Sequence, residues 1–89
     1  MSTISPDWNL DVGGSARLEK ELMHAQPTEG EVVVDLSGVN FVASSGLRVL
    51  LKTAQRLGRD QAKLVVANPN KTVREVLAMS GFDKIITIR

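Results

Sequence analysis

Three consecutive valines, Val32 to Val34 in the stretch EVVVDL at 31–36, constrain the fold more than any other feature of the chain. Antiparallel strands with one wet face alternate apolar and polar residues. A run without that alternation predicts a strand buried on both faces, as in a parallel sheet. KLVVA at 63–67 reads as a second buried strand and KIITI at 84–88 as the last one. WNLDV at 8–12 predicts a short strand ended by Gly13-Gly14, after a loose polar opening, MSTISPDW. Between these segments the apolar period changes to that of a helix. From an N-cap at Ser15, Leu18, Leu22 and Ala25 fall at i, i+4 and i+7, and Pro27 ends the helix. Leu47, Leu50, Leu51, Ala54 and Leu57 mark a second helix with Gly58 at its C′ position. Val73, Val76 and Leu77 mark a third, closed by Gly81 and a contact from Phe82. Strands separated by helices imply parallel pairs joined by right-handed crossovers. The expected fold is α/β, one domain over residues 1–89, with a mostly parallel sheet of about four strands and about three helices.

Composition closes off most chemistry. A chain of 89 residues hides around two-thirds of the surface its unfolded form exposes. A formal charge of +1 gives no electrostatic case for nucleic acid, and three aromatic residues make no base-stacking platform. Without cysteine there is no disulfide, thiol nucleophile or cysteine metal site, and the single histidine, His24, leaves no histidine-rich metal site. The N-terminus has neither the basic start nor the apolar stretch of a signal peptide. No apolar run approaches the roughly 20 residues of a membrane helix, so a cytoplasmic, soluble protein is expected. No G-x-G-x-x-G, lysine-containing phosphate loop or G-x-S-x-G elbow is present. Asp35 ends a strand without a second acid or histidine nearby in sequence, which is thin material for acid/base catalysis. No enzyme activity, cofactor or metal is expected.

The chemistry that remains is concentrated in FVASSGL at 41–47, where a strand-like run gives way to two hydroxyls and a glycine as a new helix begins. Ser44 is expected to N-cap that helix, so that Ser44→Ala costs about 1 kcal/mol. Gly46 lets the backbone approach whatever lies above it. Free N–H groups and the helix dipole at such a joint favour negative charge, so a phosphoserine fits there without breaking the fold. An exposed Ser44 ringed by Val42, Ala43 and Leu47 is expected. Along the same helix Arg48, Lys52 and Arg56 at i, i+4 and i+8 form a basic stripe, either solvated or facing an acidic partner.

VVVDLSGVNFVASSGLRVLL resembles the signature of the STAS domains, the anti-sigma factor antagonist family: Asp-Leu-Ser, a spacer, an aromatic or apolar pair, then Asp-Ser-Ser/Thr-Gly-Leu. LVVANPNKTVREVLAMSGFDKIITI is similar to the family's downstream strand, Asn-containing turn, short helix and Gly-Leu/Phe-Asp-Lys-Ile-Ile. The resemblance covers residues 8–88 and implies a partner-switching module. In that family the unphosphorylated domain binds an anti-sigma factor that is itself a GHKL-type serine kinase. Phosphorylation at the first serine of the motif releases the partner, and a PP2C-type phosphatase restores the domain. Carried over by position, the acceptor is Ser44, with Ser45 and Gly46 completing the motif and Asp35, Ser37 and Asn40 lining the same surface. Ala43, Leu47, Arg48 and Lys52 would join the partner-binding face. Ala43 stands where the family has an acid. The N-terminal strand and C-terminal helix of the family are expected to be shortened or missing, which favours a homodimer or docking on a larger protein. The alternative is a non-phosphorylated STAS subunit fixed in a larger complex, such as a lipid transporter.

Overall fold

In the computed structural model, which describes residues 3–89, the chain runs β1 (Thr3–Ile4), α1 (Val12–Met23), β2 (Glu31–Asp35), α2 (Ser44–Arg59), β3 (Lys63–Ala67), α3 (Lys71–Met79), a 3₁₀ turn (Phe82–Lys84) and β4 (Thr87–Ile88). Every neighbouring strand pair is parallel and the spatial order follows the chain, β1-β2-β3-β4. This is the expected α/β fold with four parallel strands and three helices among the described residues. Crossovers of one hand that always step the same way deliver their helices to the same side of a sheet. One apolar cluster accordingly joins Val32, Val34, Leu64 and Val66 to Leu18 and Leu22 of α1, Leu50 and Leu57 of α2, and Val73 and Leu77 of α3.

Burial on both faces of β2, expected from its valine run, is corrected. The strand alternates, with Val32 and Val34 buried and Glu31, Val33 and Asp35 half-buried. Continuous burial belongs instead to β3, where Leu64, Val65 and Val66 are all buried. Thr3, Val33, Val65 and Thr87 share one register row, and Ile4, Val34, Val66 and Ile88 share the next. Only the second row packs into the apolar cluster. Glu31, on the other face, ties the strands together through Arg89 at 2.8 Å and Lys63 at 3.5 Å.

Three boundaries also differ from expectation. WNLDV is not a strand: Leu10 makes a single parallel bridge to Val42, and Asp11 caps α1 by accepting the Gly14 N–H at 2.7 Å. Gly13-Gly14 therefore open a helix instead of closing a strand. A Cβ at Gly14 would collide with the Asn9 carbonyl oxygen and lie 2.7 Å from Trp8 Cδ1, whose indole N–H donates to the Gly14 carbonyl. The strand pairing with Val33 and Val34 falls earlier, on Thr3 and Ile4, within the opening expected to be loose. Met1 and Ser2 lie outside the described residues. Gly58 sits inside α2 rather than after it. The left-handed C′ position falls to Gln61 at φ 61°, with Ala62 N–H bonded to Leu57 O and Gln61 N–H to Gly58 O. Of KIITI only Thr87-Ile88 pair as strand, because Gly81 at φ 75° turns Phe82–Lys84 into a 3₁₀ segment that buries Phe82.

Candidate functional site

The motif region sits at the C-terminal ends of β2 and β3, where parallel α/β sheets present their ligand-facing loops. Asp35 ends β2 and accepts the Ser37 N–H at 2.9 Å and the Asn68 side-chain amide at 3.3 Å. The Ser37 backbone bond, then its hydroxyl and the Asn68 amide, hold the Asp35 carboxyl below the ordinary carboxylate range. Asn40 donates its backbone N–H to Asn9 Oδ1 at 2.8 Å and accepts from Asn70, which also N-caps α3. Asp35 and Asn40 thus stitch the β2–α2 loop to the loop before α1 and to the β3–α3 turn. Asn9, Asn68 and Asn70 belong to this network although the sequence marks only 68–70, and those only as a turn.

Phe41 to Ala43 runs beside Leu10. Leu10 N–H donates to Phe41 O at 2.9 Å and Ala43 N–H to Leu10 O at 2.8 Å. That pairing holds Ala43 extended, at φ −80° and ψ 169°, and makes it the N-cap of α2. The expected N-cap, Ser44, is corrected to the first residue of the helix itself. Asp11 and Asn70 cap α1 and α3 with side chains, whereas α2 has no side-chain cap. Ser44 is exposed, in the first turn of a 16-residue helix.

Ser45 is half-buried and turns toward α1, where its Oγ lies 3.2 Å from Ser15 Oγ. Gly46 is buried. A Cβ there would come within 3.0 Å of Leu10 Cβ, 3.1 Å of Val42 Cγ1 and 3.2 Å of Ser15 Oγ, so α2 approaches its neighbours closely at this point. The ring expected around Ser44 is redrawn: Val42 is buried and Leu47 half-buried against the core. The exposed apolar side chains near the joint are Phe41, 53% exposed, and Val12, 77% exposed.

The basic stripe divides. Lys52 pairs with Glu19 of α1 at 2.7 Å, and Arg56 donates to the Leu22 carbonyl near the C-terminus of α1 at 2.8 Å. Both therefore serve the α1–α2 seam, while Arg48 is exposed and enters no ion pair among the described residues. Two clefts follow the seam, with the Glu19–Lys52 pair lining both. The one nearer the serines, about 230 Å³, has Val12, Ser45 and Arg48 on its walls. The other, about 300 Å³, lies toward Met23 and Arg59. No helix of the described residues is long and apolar enough to cross a membrane.

An all-parallel sheet in chain order, with a serine pair at the uncapped start of its second helix, defines a class that comparison identifies. The STAS domain family model matches residues 1–89, and the chain belongs to that family. It is 42% identical over 81 residues to BtrV of Bordetella bronchiseptica, a candidate anti-sigma factor antagonist, covering 89% of this chain and 69% of that protein. It is 33% identical over 87 residues to the anti-sigma-F factor antagonist RsfB of Mycobacterium tuberculosis, covering 94% of this chain and 69% of the relative. A crystal structure of a candidate anti-sigma factor antagonist from Thermotoga maritima superposes with a TM-score of 0.86 at 20% identity, over 97% of this chain and 75% of that one.

Proposed function

We propose that this protein is a partner-switching module of the anti-sigma factor antagonist kind, a binding protein and not a catalyst, working in the cytoplasm. Unphosphorylated, it binds an anti-sigma factor that is also a GHKL-type serine kinase. Phosphorylation of Ser44 releases that partner, and a PP2C-type phosphatase resets the switch. The observation that carries the reading is Ser44 itself, exposed in the first turn of α2 where no side chain caps the helix. The kinship to proteins named as anti-sigma factor antagonists supports the same class of partner.

A partner docking over Phe41, Val12 and Ser44 removes a neutral hydroxyl from water at modest cost, because one hydrogen bond restores it. A phosphoserine brings a charge of about −1.5 to −2, and burying it unpaired costs several kcal/mol. The same charge lies favourably at the start of α2, so the domain itself tolerates it. The binding face then comprises Asp35, Ser37 and Asn40 on the β2–α2 loop, Ala43 to Leu47 at the joint, and Arg48 beyond it. Lys52 contributes at the edge, through a side chain already paired with Glu19.

Mass spectrometry of the intact protein purified from its host tests the reading, with one phosphate expected on a peptide containing Ser44. A protein carrying no phosphate under any growth condition would favour a subunit fixed in a larger complex.

A further inference from the structure

The motif holds two adjacent serines, and hydrogen-bond geometry separates them. Ser15 is 2% exposed, and its Oγ lies 3.3 Å from the Leu10 carbonyl oxygen and 3.2 Å from Ser45 Oγ. A hydroxyl has one proton, and a carbonyl can only accept. Ser15 therefore donates to Leu10 O, and Ser45 donates to Ser15. The chain Ser45 O–H to Ser15 O–H to Leu10 C=O ends on the oxygen that also accepts the Ala43 N–H at 2.8 Å. The same oxygen thus anchors the backbone just before Ser44 and the hydroxyl just after it. Gly46, where an added Cβ would crowd Leu10, Val42 and Ser15 Oγ, lets α2 lie close to α1 beside Ser45.

We propose that Ser15 is a specificity-determining residue that confines phosphoryl transfer to Ser44 by holding the Ser45 hydroxyl proton inside the α1–α2 seam. This rests on the switch reading above. In the transfer, serine Oγ bonds to the γ-phosphorus of a nucleoside triphosphate held by the kinase. The bond from that phosphorus to the β,γ-bridging oxygen breaks, the nucleoside diphosphate leaves, and the hydroxyl proton passes to a base on the kinase. Exposed Ser44 can offer its proton to such a base. Ser45 has already committed its proton to Ser15, on the side of the helix that faces α1.

The experiment uses the Ser44→Ala background, in which only Ser45 remains at the joint, with the cognate kinase and ATP. Ser44→Ala alone should take up almost no phosphate at residue 45. Adding Ser15→Ala should raise phosphorylation of Ser45 by about fivefold or more, the factor carried by one hydrogen bond of about 1 kcal/mol. Ser15→Cys, which keeps the volume with a weak acceptor, should fall between and covers the case in which Ser15→Ala folds poorly. Leu10 O keeps its Ala43 N–H in every variant, so native circular dichroism is expected throughout. Equal Ser45 phosphorylation with and without Ser15 would overturn the assignment while leaving the switch intact. If wild type takes phosphate at neither serine, the switch reading itself fails and the role of Ser15 falls with it.

Discussion

At the scale of single residues, the joint is governed by which small residue takes the extended cap conformation. That two hydroxyls open a helix at 44–45 is legible in the sequence, because the helical period of Leu47, Leu50, Leu51 and Ala54 begins immediately after them. That Ala43 is the cap is not, because the choice is made by a long-range bond from Ala43 N–H to Leu10 O. Ser15 shows the converse. Its residue type suggests a cap, yet it lies three residues before Leu18 and seven before Leu22, on the buried stripe, so periodicity alone could have placed it inside. The cap assignment changes two expectations. Ala43→Asp should place a carboxylate where it can accept a free first-turn N–H, raising stability by about 1 kcal/mol. Thermal melting should rise by about 4–8 °C. No rise would mean that Ala43 has no room for a capping rotamer. Ser44→Ala removes no cap, so it should change stability by less than about 0.5 kcal/mol in the same measurement, not by the 1 kcal/mol or so of a lost cap.

At the scale of elements, α1 and α2 form one unit whose seam uses charges that the sequence presents as a surface stripe. Spacing of i, i+4 and i+8 tells which residues share a helix face, but not that Glu19 and the Leu22 carbonyl lie opposite. Arg56→Ala should therefore destabilise the domain by about 1 kcal/mol in denaturant unfolding, since it strips a partner from the last turn of α1. An unchanged midpoint would return Arg56 to a solvated role. Within that stripe, Arg48 is the cation without an ion pair or hydrogen bond to α1 among the described residues. Arg48→Glu should slow association with an acidic partner surface and flatten its salt dependence in stopped-flow measurements, with melting unaffected. A salt dependence identical to wild type would remove Arg48 from the interface. The start of α1 is hidden in the sequence because Gly13-Gly14 reads as a terminator, whereas Asp11 accepting from Gly14 makes the pair a helix opening.

At the scale of the whole molecule, strand and helix order is legible from the valine runs and apolar periods, since each strand must be fed by a crossover. One-sided cover of the sheet is not, because it depends on every crossover stepping in the same direction. The less covered face is held by charge. Hydrogen bonding from Arg89, with Lys63 adding to it, keeps the Glu31 carboxyl below its ordinary value of 4.5. A depressed carboxyl stabilises the fold above that value, and the gain is lost as pH falls through the folded-state value. Melting of wild type should thus fall more steeply below about pH 4.5 than that of Glu31→Gln, which never had the gain to lose. Parallel curves would exclude Glu31 as a contributor. The central claim, that charge at Ser44 controls partner binding without disturbing the fold, is tested most directly by calorimetric titration of Ser44→Asp and wild type against the cognate anti-sigma kinase. A penalty of about 3 kcal/mol predicts binding weakened more than about a hundredfold, with melting within a degree or two of wild type. Ser44→Asp binding as tightly as wild type would contradict the account and make a constitutive subunit the better description.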